Sequence, residues 1–488
     1  MMRFCSTSLV LVVALIGLAG CERGGDEAVR VTVIDTEPPA IADPYGGPLS
    51  PAQAVAMDAL AQGLVRFDGR GDIAPGLAER WNVSDDGLSY IFRLAKGEWS
   101  NGRKILARDV ARALNRQLRA GSRNELKDTL GAIEDIVAMT DRVIEIRLKA
   151  PRPNLLQLLA QPEFGALHGG LGGGPMVRDP SIPGRGIGLT YRFQITDAPD
   201  LVDHALLSSA PVEKAVAAFA DGESDLVIGG TVDNLPLARA AKLPRGSLRF
   251  DPVAGLFGLL PLRTTGPAGD QEIRRLLSQA IDRDALVGAL EIPGLVPRTT
   301  ILQPGLDGLT EVPPSPLPPI AGDRPAALRA AGARAFGALD RPTIRVRLPD
   351  GPGGDLLLGR LVADWGLLGL KVERAAKGGA ADFAFLDKVA PTSSPSWFVR
   401  GFRCDIVDVC SADADTLMDS ARAVTVPAQR AALFIQAARL LDAQTAFIPF
   451  AAPVRWSLVG AGLPGFTENK VGRHSLIGLK RKPNPEGR

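Results

Sequence analysis

Residues 63–116 carry turn signals at a spacing that leaves few folds open to the chain: GLVRFDGRGDIAPGLAERWNVSDDGLSYIFRLAKGEWSNGRKILARDVARALNR. Asp85, Asp86 and Gly87 separate WNVS from LSYIFRL, where apolar residues recur at near-period two, the pattern of half-buried strands joined by a tight turn. Asn101 and Gly102 supply the next turn, and a helical pattern through Asp109, Val110, Ala113 and Leu114 follows. The stretch therefore predicts two strand pairs followed by a capped helix. Upstream, VRVTVI at residues 29–34 reads as a strand that ends at the Pro38–Pro39 breaker. Residues 51–64 read as a helix with Val55, Leu60 and Leu64 on one face.

Composition narrows the chemistry. Across 488 residues, 56 Lys+Arg stand against 54 Asp+Glu, a balance of +2 that gives no global basic field for nucleic acid. Three histidines and four cysteines leave little for a metal centre or for histidine-based acid/base work. Neither a G-x-S-x-G elbow nor an H-E-x-x-H helix occurs. LGGGP (171–175) and GRGIG (184–188) lack the Lys-Ser/Thr ending of a phosphate loop and read as mobile loops near a cleft. His168, His204 and His474 are scattered, and each reads as an ordinary packed or exposed histidine. The expectation is a protein that is not an enzyme, with no catalytic residue, no metal and no cofactor.

The N-terminus reads as an address. Arg3 precedes an apolar run, residues 9–18 (LVLVVALIGL), which is shorter than the ~20 residues a membrane-spanning helix needs. The LAGC that follows resembles the lipobox of bacterial lipoproteins, which implies residues 1–20 as signal peptide, Cys21 as the lipidated residue and 21–27 as a tether. A plain signal peptide or an uncleaved anchor is the alternative. Cys404 and Cys410 flank DIVDV; in an oxidising compartment they read as a local disulfide, with free thiols or half a metal site as the other readings.

The 63–116 segment resembles the N-terminal signature of the bacterial extracellular solute-binding proteins of family 5, the peptide- and nickel-binding receptors of ABC importers. Gly63, Leu64, Asp68, Pro75, Leu77, Ala78, Trp81, Ser84, Asp86, Gly87, Tyr90, Phe92, Leu94, Gly97, Trp99, Asn101, Gly102, Ala107, Asp109 and Val110 fall on the pattern. Further matches run through EIRLKAPRPNLLQLLAQPEF, AFADGESDLV and QEIRRLLSQAIDRDALV to AFIPFAAPVRWSLV.

The resemblance implies an α/β fold: a two-lobe, periplasmic-binding-protein-like clam of type II with an extra inserted small domain. Lobe I would comprise 28–43, 166–251 and 456–488, the inserted domain 44–165 and lobe II 252–455. It also implies a peptide-like or small charged solute, an ABC permease as partner, and a monomer on the periplasmic or extracytoplasmic side, anchored to a bacterial membrane by its N-terminal lipid; no nucleic acid is expected. The alternative is a structural or signalling lipoprotein of the same fold that has lost its ligand.

Many family members carry W-x-x-D-Y-x-x-P in lobe II. Here AFLDKVAP keeps Asp387 and Pro391 but has Ala384 for the tryptophan and Lys388 for the tyrosine. Asp387 is the expected anchor for a ligand's cationic end. Trp397, Phe398, Arg403 and Glu37 complete the expected ligand set, an arginine among aromatics being suited to a carboxylate. A solvent-facing loop pinned by the disulfide is the competing reading of Trp397, Phe398 and Arg403.

Overall fold

The computed structural model describes residues 28–191, 203–309, 311, 314–337 and 342–480. Cys21 and its flanking signal lie outside them. Two β-sheets form the main bodies. In the first, the described strands run in the order Met176–Arg178, Ile187–Tyr191, His204–Ala210, Val29–Ile34, Leu226–Gly230, Trp456–Val459, Leu248–Phe250. Val29–Ile34 is parallel to both neighbours, pairing Val31 with Leu207 and with Leu226, and the outer strands are antiparallel. Val29, Val31 and Val33 share one face of this strand and are buried, and Thr32 on the opposite face is buried as well.

The second sheet runs Lys371–Arg374, Thr343–Arg347, Phe383–Val389, Gly255–Pro261, Ile448–Pro449. Among the described residues, the chain passes between the two sheets at 251–254 and again at 450–455. The Asp251 N–H donates to the Arg455 carbonyl (3.0 Å), so the crossings lie side by side. The largest apolar cluster joins Val227, Val232 and Trp456 of the first body to Phe257, Trp365 and Phe383 of the second, so the bodies share a core at this hinge.

The third unit is an antiparallel sheet ordered Ala78–Val83, Ser89–Leu94, Val143–Leu148, Ile133–Thr140. Tyr90 pairs with Ile146 and Phe92 with Ile144, and the helix Ala107–Gln117 closes its core with Val110 and Leu114. The Asp86–Gly87 and Asn101–Gly102 turns form as expected, with φ of 67° at Gly87 and 80° at Gly102, values that only glycine adopts freely. The helix is not side-chain capped, however: Leu106 sits at the cap, and the Ala107 N–H is met by the Asp141 carbonyl (2.8 Å).

Three further expectations change. The helix Pro51–Leu60 stops short of Leu64, and it packs Ala52, Ala56, Ala59 and Leu60 against the seven-stranded sheet, so by packing it belongs to the first body and not to the small domain. QEIRRLLSQAIDRDALV is two helices, Gln271–Ala280 and Arg283–Leu290, because Asp282 leaves helical geometry to cap the second by accepting from the Ala285 N–H (2.9 Å). The glycines of LGGGP are packing residues: a Cβ on Gly172 would lie 2.0 Å from the Leu60 carbonyl oxygen, and neither glycine cluster lines the central cavity.

Candidate functional site

A cavity of about 940 Å³ lies between the bodies, within the size range of small-molecule sites, roughly 300–1,000 Å³. The parallel strands Val29–Ile34 and Leu226–Gly230 point their carboxyl ends at it, where open α/β sheets commonly bind ligands. Val33 and Gly229–Thr231 line it there, with Asp58 of the helix Pro51–Leu60. Gly230 lets the wall close up: a Cβ there would sit 2.1 Å from the Trp456 ring, whose Nε1 donates to the Thr231 carbonyl (2.8 Å). The opposite wall comes from the end of Phe383–Val389 and the short helix Pro395–Arg400. Val471–His474, from the C-terminal segment, complete the lining on one side.

The small domain bridges to the second body around this space. Gln161 donates to the Pro391 carbonyl (3.0 Å), Asn154 to Asp307 (2.9 Å), Arg400 to the Asp128 carbonyl (2.8 Å) and Arg430 to the Pro151 carbonyl (2.7 Å). These hydrogen bonds tie the small domain directly to the second body.

Most charges on the wall are paired. Asp387 accepts from Arg455 Nη1 at 2.8 and 3.0 Å, with only 13% and 20% of the two side chains exposed. Burial pushes the Asp387 carboxyl up against the opposing pull of Arg455. The neighbouring Asp233 is pushed up to about 6 by burial and by the charge of Asp387, with Arg455 opposing. Glu163 pairs with Arg473 (3.3 Å), Asp251 with His474 (3.0 Å) and, across the cleft, Glu125 with Lys388 (3.7 Å). Asp58 has neither a hydrogen bond nor an ion pair among the described residues; its enclosed position pushes it up to about 7, although Arg473 and Arg66 pull the other way.

Of the expected ligand set, Asp387 and Trp397 line the cavity. Phe398 does not: it is fully buried and braces Trp397 edge-on from behind, with ring centroids 5.1 Å apart. Arg403 also lies off the wall, because Asp405 (3.3 Å) and Asp419 (2.9 Å) already hold its guanidinium. Glu37 is exposed outside the cavity and accepts from Gln53 (3.0 Å). Cys404 and Cys410 are joined in the loop after this helix, with Cα atoms 5.1 Å apart. Asp58, Arg400, Arg455, Arg473 and His474 are wall residues that the motif comparison did not single out. Among the described residues there is no group of three His, Cys, Asp or Glu side chains able to hold a metal ion.

Residues 72–194 match the model of the bacterial extracellular solute-binding proteins, family 5 Middle. A probable di/tripeptide-binding protein 5 from Pseudomonas aeruginosa is 25% identical over 87% of this chain and 90% of its own length. Heme-binding protein A of Haemophilus influenzae is 22% identical over 85% and 86%. Among solved structures, Haemophilus influenzae OppA in complex with RPPGFSPFR superposes with a TM-score of 0.77 at 17% identity, covering 93% of this chain and 99% of that one. NikA from Brucella suis with Fe(III)-EDTA gives 0.74 at 18% identity, covering 93% and 100%. With the two-body α/β fold, the small antiparallel domain and the central cavity all in place, the chain has the fold of these binding-protein structures across most of its length and resembles the bacterial extracellular solute-binding proteins of family 5 most directly over residues 72–194.

Proposed function

We propose that the chain is an extracytoplasmic solute receptor, which captures a peptide-like or small charged solute between its two bodies and delivers it to the permease of an ABC importer. The observation that carries this reading is the cavity of about 940 Å³, whose charged walls come from both bodies at a shared hinge. Ligand held by both walls favours closure, which turns occupancy into a shape a permease can read. The relatives named for di/tripeptides and heme, and the neighbours holding a peptide and Fe(III)-EDTA, support a charged solute without selecting one.

The receptor acts as a monomer and without catalysis. Its lobes follow the boundaries implied by the family resemblance, except that the helix Pro51–Leu60 moves with lobe I. Cys21 carries the lipid that holds it at the membrane, on the strength of LAGC. A Cys21→Ala protein that still partitions into detergent would remove the anchor.

Mass spectrometry of small molecules released from the purified, unfolded protein tests the receptor reading, with small-angle scattering for closure. A retained solute whose removal expands the particle is expected. An empty protein with no change in shape would favour the structural or signalling lipoprotein, a reading that the internal pairing of Asp387 with Arg455 supports.

A further inference from the structure

Pairing the charges on the cavity wall leaves three groups over: Asp128, which is exposed, and two that are half-buried, one on each body. Asp58 stands on the helix packed against the first sheet, with no hydrogen-bond or ion-pair partner among the described residues. Arg400 ends the helix Pro395–Arg400 on the second body and has no ion-pair partner among the described residues. Its one hydrogen bond there runs from Nη1 to the Asp128 carbonyl (2.8 Å). Asp128 itself also borders the cavity, but its side chain is exposed and solvated at the rim.

Resting on the receptor reading above, we propose that Asp58 and Arg400 are the two anchors of a zwitterionic solute, Asp58 receiving its ammonium and Arg400 its carboxylate. Asp387, the family-pattern position, is less suited to an ammonium here because its charge is already met: Arg455 Nη1 bridges both of its oxygens from the hinge side, and a ligand cation would add a second positive charge to a neutral pair. An enclosed carboxylate without a donor is costly, and an ammonium from the ligand removes that cost. The guanidinium of Arg400 retains donors beyond the one spent on Asp128, in a planar fork that matches a carboxylate. Because the two anchors sit on different bodies, a ligand that satisfies both ties the walls together. A solute lacking either charge leaves one anchor unmet and holds the closed form less well.

The probe is a random tripeptide library in three forms: free termini, N-acetylated and C-amidated. Peptides retained by the soluble protein after desalting are quantified by mass spectrometry, and the best retained sequence is titrated in all three forms by calorimetry. Retention of the free form, and its loss on blocking either end, is expected; this arm leaves the protein's fold untouched. Asp58→Asn should weaken the free peptide about thirtyfold while leaving the N-acetyl form unchanged, as for a buried charge pair cut on one side. Arg400→Gln should do the same with the C-amide as the indifferent form.

Unchanged affinity in both variants, equal loss for free and blocked peptides, or retention of no library member overturns the anchors. The receptor reading is decided separately by the solute that co-purifies, so it can stand while this assignment falls.

Discussion

Removing Arg455 tests the site at its hinge. Arg455→Gln takes away the cation that meets Asp387 at 2.8 and 3.0 Å and leaves a carboxylate whose side chain is only 13% exposed. Breaking a buried pair from one side typically costs about 3–5 kcal/mol, and the residual exposure of both partners places this pair near the lower end, about 3 kcal/mol. Asp387→Asn/Arg455→Gln removes both charges and should recover at least about 1.5 kcal/mol of that loss.

The effect depends on pH with a definite sign. Burial already raises the folded-state pKa of Asp387 while Arg455 lowers it, so removing Arg455 raises it further. A carboxyl whose folded pKa is raised holds a proton that the unfolded chain releases, so stability falls as pH rises between the two pKa values. The gap between wild type and Arg455→Gln should therefore widen from pH 5 to pH 8. Thermal unfolding followed by far-UV circular dichroism at the two pH values reads both quantities. A gap that stays constant or narrows, or a double variant no more stable than the single, would refute the buried-pair account.

The turns of the small domain were legible because they are local. Asp86–Gly87 and Asn101–Gly102 need positive φ at a known position, and period-two patterning set the strands on either side. The ligand set was not legible by motif transfer, because partners are chosen in three dimensions. Arg455 lies 68 residues from Asp387, and nothing near AFLDKV announces it.

A weaker local signal was nonetheless present. Asp58 is the single charge in PAQAVAMDALAQGL, Arg455 the single charge in AFIPFAAPVRWSLV, and Arg400 the single charge in SWFVRGF. An isolated charge in an apolar run is kept only where it finds a partner or lines a polar space, and all three lie on the cavity wall. Arg403 illustrates the converse: it stands in RGFRCDIVD among other charges, and it pairs on the surface with Asp405 and Asp419.

Gly230→Ala should lower stability by about 1–3 kcal/mol, since the added methyl meets the Trp456 ring and cannot be accommodated without moving the cavity wall; urea unfolding measures it. Reducing the Cys404–Cys410 bond should cost roughly 2 kcal/mol on the chain-entropy account of so short a loop, read as a fall in the melting temperature with added reductant. Asp442→Asn should raise stability by about 2–3 kcal/mol more at pH 8 than at pH 5: Asp442 is almost fully buried, accepts only from the Ile301 N–H (2.9 Å) among the described residues, and is pushed up to about 7, so its ionised form is what burial penalises. Binding of a free-terminus tripeptide at pH 7 should release protons from Asp58, which burial holds near half-protonated while Arg473 and Arg66 favour its charge and Glu163 opposes it. An ammonium beside it favours ionisation, so affinity should rise as pH increases through about 7. Calorimetry in buffers of different ionisation enthalpy counts the protons: release that persists in Asp58→Asn would assign them to another group and remove the coupling.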